Sequence, residues 1–255
     1  MSSTEWAQAG LQAFDAVVQG TEGFRGRAGQ RAMAEQVART FSQAQLGKVD
    51  EEAGEPQRAI AVIQAGTGVG KSLAYCAPAI AIALARGTRV LVSTATVALQ
   101  EQLVHKDLPA LAAQMEQPFR FALAKGRGRY VCKLKLDRLA HPDDAAPDEA
   151  LDDLFPEDAA HARGQPSRQE TEARMQFYTS MAQALAQGAW DGDRDSLDTP
   201  PEPEAWSPVA AEGSSCTGRH CPSFGQCAYF EQRKALVGAQ VIVANHDLLL
   251  SSLGA

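Results

Sequence analysis

At 255 residues, 45% of them hydrophobic, the chain is long enough for one large domain or two modest ones with buried cores. Its formal net charge of −7 argues, as an average, against a nucleic-acid partner, but the charge is so segregated along the chain that the average excludes little. No signal-peptide pattern opens the sequence and no apolar run approaches the roughly 18 residues of a membrane span, so a cytoplasmic protein is expected, with five cysteines that are thiols or metal ligands rather than a disulfide framework.

Ser3 to Gln19 places Trp6, Phe14, Val17 and Val18 on one helical stripe, closed by Gly20. A loop from Gly23 to Gln30 then enters a second helix with Met33, Val37 and Phe41 at four-residue spacing. An aromatic, a basic residue and Gln30 ahead of a nucleotide loop suit adenine recognition, since an amide both donates to and accepts from the adenine edge. A merely solvated glutamine in a first helical turn is the plain alternative. The turn-rich acidic stretch from Gly47 to Pro56 separates this helix from the next apolar run.

That run, Ala59 to Ile63, predicts a buried strand, and it leads into Ala65-Gly66-Thr67-Gly68-Val69-Gly70-Lys71-Ser72. Strand, glycine-rich turn and helix form the setting of a phosphate-binding loop. Glycines at 66, 68 and 70 let successive N–H groups turn inward on phosphate oxygens, and the following helix aims its positive end at the same anion. Lys71 is positioned for the terminal phosphates and the Ser72 hydroxyl for Mg2+, which makes this pair the catalytic part of an ATP site. Ala65 replaces the first glycine of the strict pattern, at a position that asks mainly for a small side chain.

Leu73 to Ala85 reads as an alanine-rich helix kinked at Pro78, with Cys76 as a buried structural thiol. Thr88 to Val92 is a second strand, followed by a helix over Val97 to Leu103. Alternating strands and helices predict a parallel, doubly wound α/β sheet, whose ligands sit at the carboxyl ends of strands. Thr94, Thr96 and Gln100 fall at that edge and suit a DNA phosphate backbone, though a helix cap and its first turn explain them equally.

A third strand is expected over Phe119 to Ala124. It runs into a stretch where Arg120 to Arg138 holds seven basic residues against the single acid Asp137. Arg127 and Arg129, with glycines and Tyr130 between and beside them, resemble the lining of a nucleic-acid groove, the alternative being a solvated basic face. Between His141 and Ala160 the charge reverses to eight acids and no Lys or Arg, the composition of a surface loop or insertion. A helix over Ser167 to Gln187 follows, with Met175, Tyr178, Met181 and Leu185 on one face.

Cys216, Cys221 and Cys227, with Cys132 upstream, supply four thiols, the number for a tetrahedral zinc ion or an iron–sulfur cluster. Gaps of four and five residues are wider than zinc knuckles, and the Cys221-Pro222 step suits a cuboidal cluster. Spacing leaves iron–sulfur, zinc and unliganded thiols open. Ala239 to Ala244 is a last strand, ending at Asn245 and His246. There His246 is either a ligand contact or incidental beside an Asn245 helix cap.

These segments together resemble the amino-terminal part of the DinG-type bacterial iron–sulfur DNA helicases, superfamily 2 relatives of XPD. The resemblance is carried by Phe24 to Gln30 (Q motif), Ala65 to Ser72 (motif I), Val92 to Leu103 (motif Ia), Gly126 to Cys132, the three later cysteines and Val241 to His246. Val69, the Arg127 to Cys132 segment and Trp190-Asp191-Gly192-Asp193 look closer to that type than to the related YoaA. The resemblance implies a [4Fe–4S] cluster on Cys132, Cys216, Cys221 and Cys227. It also implies ATP-driven 5′→3′ movement on single-stranded DNA, with unwinding of forks, R-loops and similar structures in repair or replication. A monomer is expected, with single-stranded-DNA-binding protein as a partner and no membrane.

Expected domains are 1–58 (helices with the Q motif), 59–118 (the first part of a RecA-like motor domain), 119–235 (an inserted iron–sulfur domain) and 236–255 (the return to the motor). The family's Asp-Glu-x-His motif occurs nowhere in the 255 residues. The chain therefore looks like a fragment ending inside the first motor domain, able by itself to bind nucleotide, cluster and DNA at most. Competing readings are a non-catalytic metal-bearing nucleic-acid module and a P-loop ATPase with a structural zinc.

Overall fold

The computed structural model describes residues 2–21, 27–45, 56–66, 68–141 and 168–253. Phe24, Thr67, the acidic stretch around residue 50 and the acidic loop after His141 lie outside the described residues. The chain divides into two compact units, one made of Met1–Ala124 with Ala235–Ala255, the other of Lys125–Lys234.

In the first unit, helix α1 (Ser3–Gly20) starts at a capping box. The Ser2 hydroxyl accepts from Glu5 N at 3.3 Å, and Ser2 N donates to the Glu5 carboxylate at 2.5 Å. Helices α2 (Ala28–Gln43) and α3 (Lys71–Ala85) pack with it around Phe14, Val17, Ala34, Val37, Ala77 and Ile80. Gly10 permits the close approach of α1 to α3, since a Cβ there would stand 3.0 Å from Ile82 Cδ1 and 3.3 Å from Pro78 Cβ. Helix α3 is continuous through Pro78, and its Cys76 is fully buried. That burial pushes the Cys76 thiol far up, as befits an unreactive core residue.

The sheet has three parallel strands, β1 (Val90–Thr94), β2 (Phe121–Leu123) and β3 (Val241–Asn245), in the order β1-β3-β2. Val241 pairs with Val90 on one side and Phe121 on the other. Val90, Val92, Val241 and Val243 are buried in the core they share with the helices, at roughly 1.5–3 kcal/mol for each fully buried side chain. Between β1 and β2 run α4 (Val97–Gln102), a π-helical turn at Leu103–Asp107 and α5 (Leu108–Gln114).

The strand expected at Ala59 to Ile63 is not formed. Within 56–66 the only ladder contact is the bridge Gln57↔Gln45, and Ile60 and Val62 are 85% and 96% exposed. Ile63 does pack on the core, but no neighbouring strand among the described residues pairs with this backbone, and an apolar run needs such a partner to become a buried strand.

The second unit is built on the contiguous residues Tyr130, Val131 and Cys132. Val131 N donates to Gly192 O at 2.9 Å, Cys132 N to Val209 O at 2.7 Å, and Ala211 N to Tyr130 O at 2.8 Å, so this segment lies between two others. Helices α6 (Lys133–Ala140), α7 (Arg168–Ala186) and α8 (Ala228–Val237) pack around it. On α7, Tyr178 and Met181 are buried as the periodicity predicts, while Met175 is 42% exposed. Trp190 and Trp206 meet edge to face with centroids 6.3 Å apart, and each indole is satisfied, by Asp193 O at 2.8 Å and Gly128 O at 2.7 Å. Helix α9 (His246–Leu253) follows β3 in the first unit.

Candidate functional site

The first candidate site is the loop that opens onto α3. Gly68 and Gly70 have φ of +75° and +81°, left-handed backbone that a side chain would strain. Gly70 caps α3 without any side-chain partner, so the first N–H groups of the helix face the loop unshielded by a capping oxygen. Lys71 is turned inward, donating to Ala65 O at 3.1 Å and Gly66 O at 2.8 Å. Its ammonium thus rests on loop carbonyls that a phosphate oxygen could replace. Ser72 stands beside it on the first turn of α3, next to the half-buried Tyr75 phenol, which burial pushes up to about 12.

Two side chains at the start of α2 hold this loop. Gln30 is fully buried, and its Nε2 donates to Gly70 O at 3.0 Å. Its Oε1 is buried and has no hydrogen-bond partner among the described residues. Arg27 donates to Gly68 O. Sequence reasoning points Gln30 at adenine and leaves Arg27 without a role. The structure puts both on the phosphate loop. Their nearness at the N-terminus of α2, Arg27 as its cap and Gln30 in its first turn, is the signal that could have found Arg27.

At the carboxyl edge of the sheet, Thr96 caps α4, accepting from Leu99 N at 3.3 Å, and Thr94 donates to Thr96 O at 3.1 Å. Gln100 is 1% exposed with Nε2 unpartnered among the described residues. Thr94 and Gln100 are therefore buried, and Thr96 is engaged as the cap. Asn245 caps α9 through Leu248 N at 2.7 Å, and His246 Nδ1 lies 2.7 Å from Ser93 Oγ, which joins the ends of β1 and β3.

The second candidate site lies within the other unit. Cys132, Cys216, Cys221 and Cys227 line one pocket, although 84 residues separate the first from the second in sequence. Cys132 is the N-cap of α6. Burial raises its thiol, against the backbone N–H groups of Lys135 and Leu134, which favour the thiolate. Cys221 and Cys227 each close a 3-10 turn, and Gly218 N donates to Cys216 Sγ at 3.4 Å. All four are free thiols. Among the described residues no group of three or more His, Cys, Asp or Glu is placed to hold a metal ion, so the thiols share a pocket without closing on one centre.

The basic segment is engaged within its own unit. Lys125, 8% exposed at its side chain, lies 2.6 Å from Asp193 and 3.2 Å from Asp195. Burial alone would lower its ammonium pKa, but the bond to Asp193 and the charge of both carboxylates raise it on balance, while burial raises the Asp193 carboxyl against the bond from Lys125. Arg129 lies 3.5 Å from Asp195, and the Arg127 guanidinium sits over the Tyr229 ring, 4.4 Å from its centroid. Sequence reasoning does not find the Lys125, Asp193, Asp195 network, because its partners are 68 and 70 residues apart in the chain.

Comparison with known proteins bears on both sites. The DEAD/DEAH box helicase family matches residues 48–117, which include the phosphate loop. The chain is 37% identical over 229 residues to an ATP-dependent DNA helicase DinG of Salmonella typhimurium, covering 89% of this chain and 29% of the relative. It is 36% identical over the same length to that of Escherichia coli, covering 28% of it, and 38% identical over 190 residues to that of Photobacterium profundum, covering 74% of this chain and 25% of the relative. The chain thus spans less than a third of the length of the curated relatives it matches. Its sequence is DinG-like across both units, and a parallel sheet behind a phosphate loop fits a RecA-like motor fold.

Proposed function

We propose that this chain carries the nucleotide-, cluster- and DNA-binding part of a DinG-type ATP-dependent DNA helicase, whose intact form moves 5′→3′ on single strands and opens forks, R-loops and similar structures. One observation carries the reading: a single DinG-like chain holds both a phosphate loop with an inward lysine and a pocket walled by four cysteines. In this reading the enzyme is bacterial, cytoplasmic and monomeric. Among the described residues no helix is long and apolar enough to cross a membrane.

At the nucleotide site, Ala65, Gly66, Thr67, Gly68, Val69 and Gly70 wrap the phosphates through backbone N–H groups. Lys71 leaves the carbonyls of Ala65 and Gly66 to neutralise the β and γ oxygens, and the Ser72 hydroxyl completes the shell of Mg2+. The Gln30 Oε1 acceptor is complementary to an adenine amino group, while Nε2 keeps Gly70 in place. Hydrolysis belongs to the intact protein, since these 255 residues hold no Asp-Glu-x-His quartet.

Four cysteine thiols lining one pocket supply the donor set of a [4Fe–4S] cluster, and the sequence gaps of four and five residues between Cys216, Cys221 and Cys227, wider than those of zinc knuckles, favour it over one zinc ion. When bound, such a cluster supplies a covalent tie between the start and end of this unit and a one-electron centre. The chain's own contribution is to hold Cys132 at the α6 N-terminus and to direct Gly218 N–H at the Cys216 sulfur. Thr94, Thr96, Gln100 and Arg129 are the proposed contacts to the DNA backbone at the sheet edge and in the basic segment, with single-stranded-DNA-binding protein as a partner on the strand.

Two measurements test the reading. Anaerobically purified chain should be brown and contain iron. Serine in place of Cys132, Cys216, Cys221 or Cys227 should abolish the colour, while Cys76→Ser should not. A colourless protein with one zinc would end the cluster proposal. The intact protein should hydrolyse ATP faster with single-stranded DNA and separate duplexes bearing a 5′ tail; indifference to DNA would end the helicase proposal.

A further inference from the structure

Two cationic side chains line the cysteine pocket along with the thiols, Arg127 and Lys133. Lys133 is matched by Asp137 at 2.5 Å, and the one carboxylate lining the pocket, Glu212, is matched by Lys135 at 2.9 Å. Arg127 has no carboxylate partner among the described residues. Its guanidinium lies 4.4 Å from the Tyr229 ring centroid and 5.8 Å from that of Phe230, and both rings line the same pocket. This platform is braced. Tyr130 packs on Tyr229 at 5.8 Å, and Arg233 donates to the Tyr229 hydroxyl at 2.9 Å. The backbone at Arg127 is fixed by the 3-10 turn Arg127–Arg129, closed by Tyr130 N on Arg127 O at 3.0 Å.

The pocket therefore contains four potential anionic sulfurs and one positive charge held in place by aromatic faces. Thiolate ligation makes an iron–sulfur cluster anionic, and each added electron deepens that charge. A nearby fixed cation stabilises the reduced form more than the oxidised form and so raises the potential. We propose that Arg127 is the counter-charge that sets the reduction potential of the cluster, rather than a contact to DNA. This rests on the proposed cluster being present. Arg129, two residues away, is paired with Asp195 and does not line the pocket, which makes it the natural control.

The test is a potentiometric titration of the anaerobic protein. Dithionite supplies one electron per cluster, and the visible absorbance reports reduction. Arg127→Gln should lower the midpoint, changing the redox equilibrium constant roughly tenfold, which is about 59 mV for a one-electron couple. Arg127→Lys should keep most of the parent potential, and Arg129→Gln should not move it. Iron per chain, measured on every variant, covers the case of failed loading. A Gln variant without iron beside a Lys variant that loads supports the counter-charge, whereas two empty variants show that the guanidinium builds the pocket, which overturns it. A brown parent whose midpoint is unmoved by Arg127→Gln, or moved equally by Arg129→Gln, overturns the role of Arg127 and leaves the cluster standing. A colourless, iron-free parent overturns both.

Discussion

Single residues show most plainly how a site waits for its ligand. Lys71 has two carbonyl partners, and the proposed nucleotide site requires that binding exchange those neutral contacts for charged ones. A charge-assisted contact is worth about 1.5–3 kcal/mol, so Lys71→Ala should weaken ATP binding at least roughly tenfold by calorimetry. An unchanged dissociation constant would remove the phosphate-loop assignment. The lysine is legible from its place after three spaced glycines. The inward aim of Gln30 is not, because the face a first-turn glutamine presents depends on how α2 lies against the loop, and that is a packing outcome.

At the scale of elements, Trp190-Asp191-Gly192-Asp193 illustrates a motif whose purpose lies in packing. Its Trp190 indole is bound to the Asp193 carbonyl, its Gly192 carbonyl receives Val131 N–H, and the Asp193 carboxylate faces Lys125. Gly192 has φ +84°, and a Cβ there would stand 2.4 Å from Ala228 Cβ and 3.2 Å from Val131 Cγ1. Gly192→Ala should then cost on the order of 2–4 kcal/mol in urea unfolding, combining backbone strain with overpacking, and should lower iron retention by shifting the Cys132 segment. Gly188 is the comparison: its φ is +69°, but nothing lies within 4 Å of a Cβ there, so Gly188→Ala should cost only about 1 kcal/mol. Equal losses at the two positions would show that contact with Ala228 is not what requires glycine.

At the scale of the whole molecule, the first unit leaves several large apolar side chains in solvent. Leu91 on β1 is 49% exposed, Leu250 and Leu253 on α9 are 65% and 74% exposed, and Ile60 and Val62 before the phosphate loop are nearly bare. The double change Ile60→Lys with Val62→Lys should leave the stability of this chain within about 0.5 kcal/mol while reducing binding of a hydrophobic dye. A loss of several kcal/mol would show instead that these residues are buried in solution and that the expected strand forms after all.

What the sequence determined by itself is local in character. Glycine spacing followed by Lys-Ser specifies the glycine-rich turn that opens α3 with an inward Lys71, and the proposed phosphate loop is written in those eight consecutive residues. Helices α1 and α7 follow from short-range periodicity, α3 from its alanine-rich run, and β1, β2 and β3 from apolar runs between turns, with ends at most two residues from those expected. The tertiary structure alone decided three things. It left Ala59 to Ile63 out of the sheet, because a strand exists only when another pairs with it. It set the Arg127 guanidinium over Tyr229 and Arg129 against Asp195, partners lying 102 and 66 positions further along the chain. And it brought Cys132 into one pocket with Cys216, Cys221 and Cys227, a meeting made by backbone bonds from Val131 and Cys132 to Gly192 and Val209. Such long-range pairings depend on which surfaces bury each other, and that is a property of the folded chain as a whole rather than of any segment within it.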